Sequence, residues 1–221
     1  MKDIPVADVR NFVLVGHTGS GKTSLVDALL YKLGVNDRLG NPGDGTSMAD
    51  WTDEEKNRKI SIWAKPFDAV WRPKGANPLR LVMLDTPGYA DFYGQMVAAT
   101  QVADAALLLV DATAGVQVGT VRAWKRCEAL GLPRAIAITG LDKENADFNG
   151  TVAALQDLWG VRCEVVTFPT ADKKGVVDVL SGQSPEAEEL RSKLTDVAAE
   201  SSDELIEKVL NGETLSADEL A

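Results

Sequence analysis

Cysteine and histidine are scarce in this chain of 221 residues: Cys127, Cys163 and His17 are the only ones. Two cysteines supply neither a disulfide framework nor a zinc spacing, so a cytoplasmic, reducing location is the simplest expectation. No apolar run approaches the roughly 18 residues that a membrane span needs. The opening MKDIPVADVRN also lacks the apolar stretch of a secretory signal. No membrane partner is expected. Basic residues are in deficit, with 23 Lys and Arg against 33 Asp and Glu, for a formal net charge of −10. Residues 181–221 hold 11 acidic side chains against 3 basic ones, and so carry −8 of that total. Lysine and arginine supply most of the affinity for a phosphate backbone, so direct sequence-specific nucleic-acid binding is not expected.

Apolar residues make up 45% of the chain, enough for a packed core, which excludes disorder of the whole. The pattern alternates between strands and helices. Arg10–Val15 reads as a buried strand, Lys22–Leu33 as a helix with Leu25, Leu29 and Leu33 on one face, and Val35–Lys59 as a long polar loop. Strands are expected at Ile60–Trp71, Leu79–Leu84, Ala105–Val110, Arg134–Thr139 and near Arg162–Phe168. Helices are expected at Val116–Leu130, near Asn149–Leu158, and, in the acidic tail, at Pro185–Ala199 and Asp203–Leu210. Fully apolar strands between helices indicate an α/β fold with a mostly parallel sheet between helical layers.

Two local motifs carry chemistry. Gly16-His17-Thr18-Gly19-Ser20-Gly21-Lys22-Thr23 fits GxxxxGK[ST], after a strand and opening a helix, with Ser24 next in the chain. There the backbone amides and the helix N-terminus can cradle phosphates, Lys22 can reach the outer phosphates, and the Thr23 hydroxyl can ligate Mg2+. His17, at a variable position of the loop, is read as solvent-facing rather than catalytic. Asp85-Thr86-Pro87-Gly88 follows an apolar strand; Asp85 can hold Mg2+ through water, and Gly88 can offer an amide to a γ-phosphate. Each motif also occurs as a mere turn, but their order and spacing favour a P-loop NTPase.

The segments GHTGSGKTSLVDALL, GTSMADWTDEEKNRKISI, DTPGYADFYGQM, DATAGVQVGTVRAW and GLPRAIAITGLD together resemble the GTP-binding domain of the elongation factor G family of translational GTPases. The tail LRSKLTDVAAESSDELIEKVLNGETLSADEL is similar to the helices inside that family's GTP-binding domain. The resemblance implies a P-loop three-layer sandwich over residues 1–180, and an acidic helical segment over 181–221. It also implies GTP/GDP and Mg2+ as ligands, GTP hydrolysis as the activity, and the ribosome as partner of the full-length protein. The implied nucleotide-binding residues are Gly16 to Ser24, Asp85, Gly88, Thr139 and Asp142; Thr23, Ser61 and Asp85 would hold the metal, and Lys22, Gly88 and Tyr89 would surround the reaction.

The chain departs from the family at four places. Arg58-Lys59-Ile60-Ser61 stands for Arg-Gly-Ile-Thr: Ser61 keeps a hydroxyl, but Lys59 replaces a glycine and is expected to restrict the loop. Tyr89 replaces the histidine of DTPGH, and a phenol is a poor general base near neutral pH, so slow hydrolysis is expected. Thr139-Gly140-Leu141-Asp142 stands for NKxD; Asp142 can still accept hydrogen bonds from guanine, while the lysine is lost at Gly140. The only Ser-Ala pair, Ser216-Ala217, has no strand before it, so the final strand and the later domains of the family are expected to be missing, and a sheet edge to be left open.

Other features read as structural. Trp51, Trp63, Trp71, Trp124 and Trp159 form no stripe; most are expected in or beside the core, with Trp51 as an exposed aromatic of the mobile loop. Asp50, Asp53, Glu54 and Glu55 are expected as solvated loop carboxylates, and the acidic tail as a solvated face. Two alternatives remain at this level: a nucleotide-binding or interaction module that has lost hydrolysis, and a P-loop ATPase.

Overall fold

The structure, a computed structural model, describes residues 4–160 and 163–220, in two compact units divided after Gly140. In the first, β1 (Val9–Gly16), β2 (Lys65–Trp71), β3 (Leu79–Asp85), β4 (Ala105–Asp111) and β5 (Arg134–Thr139) form one sheet in the order β2-β3-β1-β4-β5. All pairs are parallel except β2–β3. In register, Leu14 lies opposite Asp85, Gly16 opposite Leu109, and Asp111 opposite Thr139. The carboxyl ends of four strands therefore finish together, which is where ligands bind in open α/β sheets.

Alternation along the strands sorts side chains to two faces. On one, Phe12, Leu14, Met83, Leu109 and Ala69 pack with Val26 and Leu30 of α1 (Lys22–Lys32), and the Leu25, Leu29 and Leu33 stripe packs against the same cluster. Val13 and Val15 turn to the other face and are fully buried. The helices α3 (Tyr93–Thr100) and α4 (Val118–Ala129) also lie against β1, with Met96, Ala99, Ala123 and Cys127 buried. Helix, sheet and helix make three layers. Burying each large apolar side chain contributes about 1.5–3 kcal/mol, which fixes the strand registers that set the site.

Three sequence expectations are corrected here. The segment Val35–Lys59 is not one long loop: it contains a 3-10 turn at Pro42–Asp44 and the helix α2 (Asp53–Arg58). Thr52 and Glu55 form a reciprocal capping box that satisfies the free amides at the start of α2. The strand expected from Ile60 begins only at Lys65, because the amides of Ile62 and Trp63 are taken by the Glu55 carboxylate. Trp63 and Trp71 are exposed rather than in or beside the core, whereas Trp51 is exposed and Trp124 and Trp159 half-buried as expected; Trp124 carries the Arg134 guanidinium 3.9 Å from its ring centroid.

The second unit holds α5 (Phe148–Trp159), β6 (Thr167–Pro169), β7 (Val176–Asp178), α6 (Pro185–Ala199), α7 (Asp203–Leu210) and α8 (Ala217–Leu220). The strand expected near 162–168 is reduced to β6, which pairs antiparallel with β7 in a separate two-stranded sheet; Arg162 lies outside the described residues. The turn closed by the amide of Gly175 on the Thr170 hydroxyl sends the chain straight back, so a local hairpin forms instead of a further parallel strand. Phe168, Val179 and Ala187 form its small core, and the Arg191 guanidinium of α6 donates to the carbonyls of Val179 and Gly182. Among the described residues, no helix is long and apolar enough to cross a membrane.

Candidate functional site

The loop from Gly16 to Gly21 joins β1 to α1 and ends on Gly21 at φ 82°, a left-handed conformation that glycine adopts without strain. Lys22 then opens the helix with its side chain folded back, only 5% exposed. Its Nζ donates to the carbonyls of His17 (2.7 Å) and Gly16 (3.1 Å). Burial pulls the Lys22 ammonium down to about 8, opposed by the Asp85 carboxylate. The Gly88 backbone comes to the same place: a Cβ there would lie 2.6 Å from the amide nitrogen and Cα of Thr18, and 2.7 Å from Lys22 Nζ. A cation buried chiefly among neutral carbonyls, beside main-chain amides, suits an anion.

The three residues expected to hold a metal are brought together. Thr23 Oγ1 donates to Asp85 Oδ2 at 2.9 Å and lies 2.9 Å from Ser61 Oγ. Asp85 is fully buried, and its Oδ1 has no hydrogen-bond partner. Burial pushes its carboxyl up to about 6, against the Thr23 hydroxyl and the charges of Lys22 and Lys65. Two hydroxyls and an under-satisfied carboxylate form a hard oxygen set, which fits Mg2+. Among the described residues no three His, Cys, Asp or Glu side chains gather into a metal-holding group. Mg2+ beside phosphates needs only one or two carboxylates, so the two observations agree.

The remaining expected residues fall into place unevenly. Ser20 is buried and Ser24 is exposed on the first turn of α1. Thr139 ends β5 and donates its hydroxyl to the Ser20 carbonyl at 2.9 Å, tying the P-loop to the neighbouring strand end. Gly19 is exposed at the loop's tip. Tyr89 is 40% exposed, directly before the 3-10 turn Ala90–Phe92. Asp142 lies in an exposed turn at the start of the second unit, two residues past Gly140. His17 is not solvent-facing but half-buried: its Nδ1 accepts the Gly119 amide at 3.3 Å, in the first turn of α4. Burial, then the Lys22 charge, holds its imidazole below the ordinary value.

The expectation that Asp50 and Glu55 are solvated is overturned. They are 3% and 0% exposed, and both pair with Lys65, itself 6% exposed. Asp53 and Glu54 do remain exposed, with Glu54 paired to Arg58 along α2. Burial pushes the Glu55 carboxyl up, but the Ile62 amide, Lys65 and Thr52 outweigh it and hold it below the carboxylate range. Two sequence signals marked this group: Lys65 alternates in phase with the inward Phe67 and Ala69, and Thr52-Asp53-Glu54-Glu55 is a capping-box pattern.

A crystal structure of a protein from Thermus thermophilus matches this fold with a TM-score of 0.85 and 35% sequence identity, over 97% of this chain and 34% of that one. The chain thus spans about a third of the length of that protein. A family model, the elongation factor Tu GTP binding domain, matches residues 7–213. That match covers most of the chain, so the chain belongs to the elongation factor Tu GTP-binding domain family.

Proposed function

We propose that this chain is the GTP-binding and GTP-hydrolysing part of a translation factor similar to elongation factor G, acting on the ribosome in the cytoplasm. Residues 1–180 form the nucleotide-binding core in this reading, and 181–221 the helical segment of the same domain. The observation that carries it is the Lys22 ammonium, buried against the P-loop carbonyls with the Gly88 backbone beside it.

Gly16 to Ser24 then surround the phosphates, and Lys22 stabilises negative charge on the outer ones as it develops. Thr23, Ser61 and Asp85 would hold Mg2+, which would neutralise phosphate charge there. Gly88 would offer its amide to a γ-phosphate, and a side chain there would run into Lys22 Nζ and the Thr18 backbone, so the phosphate-sensing stretch lies beside the cation. Thr139 steadies the loop through Ser20, and Asp142 selects guanine by accepting from its N1–H and amine. Tyr89 orients water without acting as a base, which makes hydrolysis slow.

Competition against a fluorescently labelled GDP probe and single-turnover hydrolysis test this reading. GTP and GDP are expected to displace the probe, while a hundredfold excess of ATP does not. Cleavage of GTP is expected to be slow alone and faster with ribosomes and the full-length protein. Equal displacement by ATP overturns the guanine assignment, and hydrolysis indifferent to ribosomes overturns the translational one.

A further inference from the structure

Lys65 is the first residue of β2, on the face that turns Phe67 and Ala69 into the core. An ammonium buried there without a partner would be strongly unfavourable. Two carboxylates reach it from the preceding segment: Asp50 Oδ1 at 2.9 Å and Glu55 Oε1 at 2.8 Å. Each carboxylate also holds a stretch of chain. Asp50 Oδ1 accepts the Ser61 hydroxyl at 2.8 Å. Glu55 Oε1 accepts the amides of Ile62 (2.9 Å) and Trp63 (3.3 Å), while its Oε2 accepts the Thr52 hydroxyl at 2.9 Å. Residues 50–63 are thereby wrapped around one ammonium fixed to the sheet. The wrap ends with Ser61 Oγ 2.9 Å from Thr23 Oγ1.

We infer that Lys65 is a positioning residue for the metal site: by pairing with Asp50 and Glu55 it pins residues 50–63 to β2 and holds Ser61 beside Thr23. The inference rests on the proposed reading of Thr23, Ser61 and Asp85 as Mg2+ ligands. Loops that sense a γ-phosphate are commonly ordered by the phosphate and its metal, and released on hydrolysis. Here Lys65, Asp50 and Glu55 add contacts from the chain itself, between groups so buried that salt screens them little.

Amide hydrogen exchange on the nucleotide-free full chain tests this directly. The amides of Ile62 and Trp63 are expected to exchange at least tenfold faster in Lys65→Met than in the wild type, while those of α6 are unchanged. Adding Mg2+ and a non-hydrolysable GTP analogue is expected to restore their protection in Lys65→Met, a response that loss of a merely structural contact would not give. If Lys65→Met loosens the whole chain, Asp50→Asn replaces it: that variant keeps the Lys65–Glu55 pair, and selective faster exchange around Ser61 is expected. Exchange at 62 and 63 that is equally fast, or equally slow, in the wild type and the variant overturns the inference. A separate GDP titration of the wild type reads the functional proposal: protection without guanine-nucleotide binding overturns that proposal and leaves the pin standing.

Discussion

Lys65 and Asp85 face each other in register across the antiparallel pair β2–β3, yet they do not pair. The ammonium goes to Asp50 and Glu55, and the carboxylate goes to Thr23. Asp85 is thus left with one buried oxygen unsatisfied beside Thr23 and Ser61. With Lys65 engaged by two other acids, one oxygen of the Asp85 carboxylate stays free for a metal ion.

That isolation has a pH signature. The Asp85 carboxyl rises from 3.8 to about 6 in the fold, chiefly through burial. Between those values the native state binds more protons than the unfolded chain, so this residue lowers stability as pH rises from about 4 to about 6, and the loss is complete above that. Asn resembles the protonated acid. Asp85→Asn is therefore expected to stabilise the chain, without Mg2+ or nucleotide, by about 3 kcal/mol at neutral pH and by almost nothing near pH 4. It is also expected to weaken Mg2+-dependent nucleotide binding. Urea unfolding of both proteins at the two pH values measures the difference, and a difference independent of pH contradicts the assignment.

Lys59 adopts φ 56° as the C-cap of α2, the left-handed conformation usually filled by glycine. The lysine does not prevent the turn; it accepts backbone strain of about 1–2 kcal/mol. Lys59→Gly relieves the strain but adds about 0.4–1 kcal/mol of unfolded-chain entropy. A net gain of about 0.5–1 kcal/mol is expected by urea unfolding, and Lys59→Val is expected to lose stability instead.

Gly88 tests the contact between the phosphate-sensing stretch and the P-loop. A methyl group there meets the Thr18 backbone, which cannot swing away as a flexible side chain can. Gly88→Ala is expected to reduce the affinity for a GTP analogue about tenfold, equal to about 1.4 kcal/mol, and to affect GDP much less. Equilibrium titrations with both nucleotides give the comparison; equal losses would show that the whole loop had shifted.

The sequence carried the parts of this site that are local. Gly16 to Thr23 is contiguous, and the strands on either side of it are apolar runs whose ends fell within a residue or two of the observed ones. The residues around Lys65 were harder to read, because Asp50 and Glu55 lie 15 and 10 positions before it. Their burial depends on how β2 docks against β3, not on any local period. A polar stretch with several glycines therefore looked like a solvated loop, although the Thr52–Glu55 cap was visible within it. His17 reads as solvent-facing for the same reason: its partner, Gly119, is 102 positions away. The β6–β7 hairpin is not legible in the sequence because three-residue strands carry too little pattern to separate a parallel strand from a local turn.

The central claim is that the P-loop grips the phosphates of a guanine nucleotide through Lys22. Calorimetric titration of Mg2+-GDP into the wild type and Lys22→Ala tests it most directly, with circular dichroism to confirm that both are folded. A loss of affinity of at least about a hundredfold in Lys22→Ala is predicted, roughly 2.7 kcal/mol. Equal affinity in the two folded proteins would contradict it.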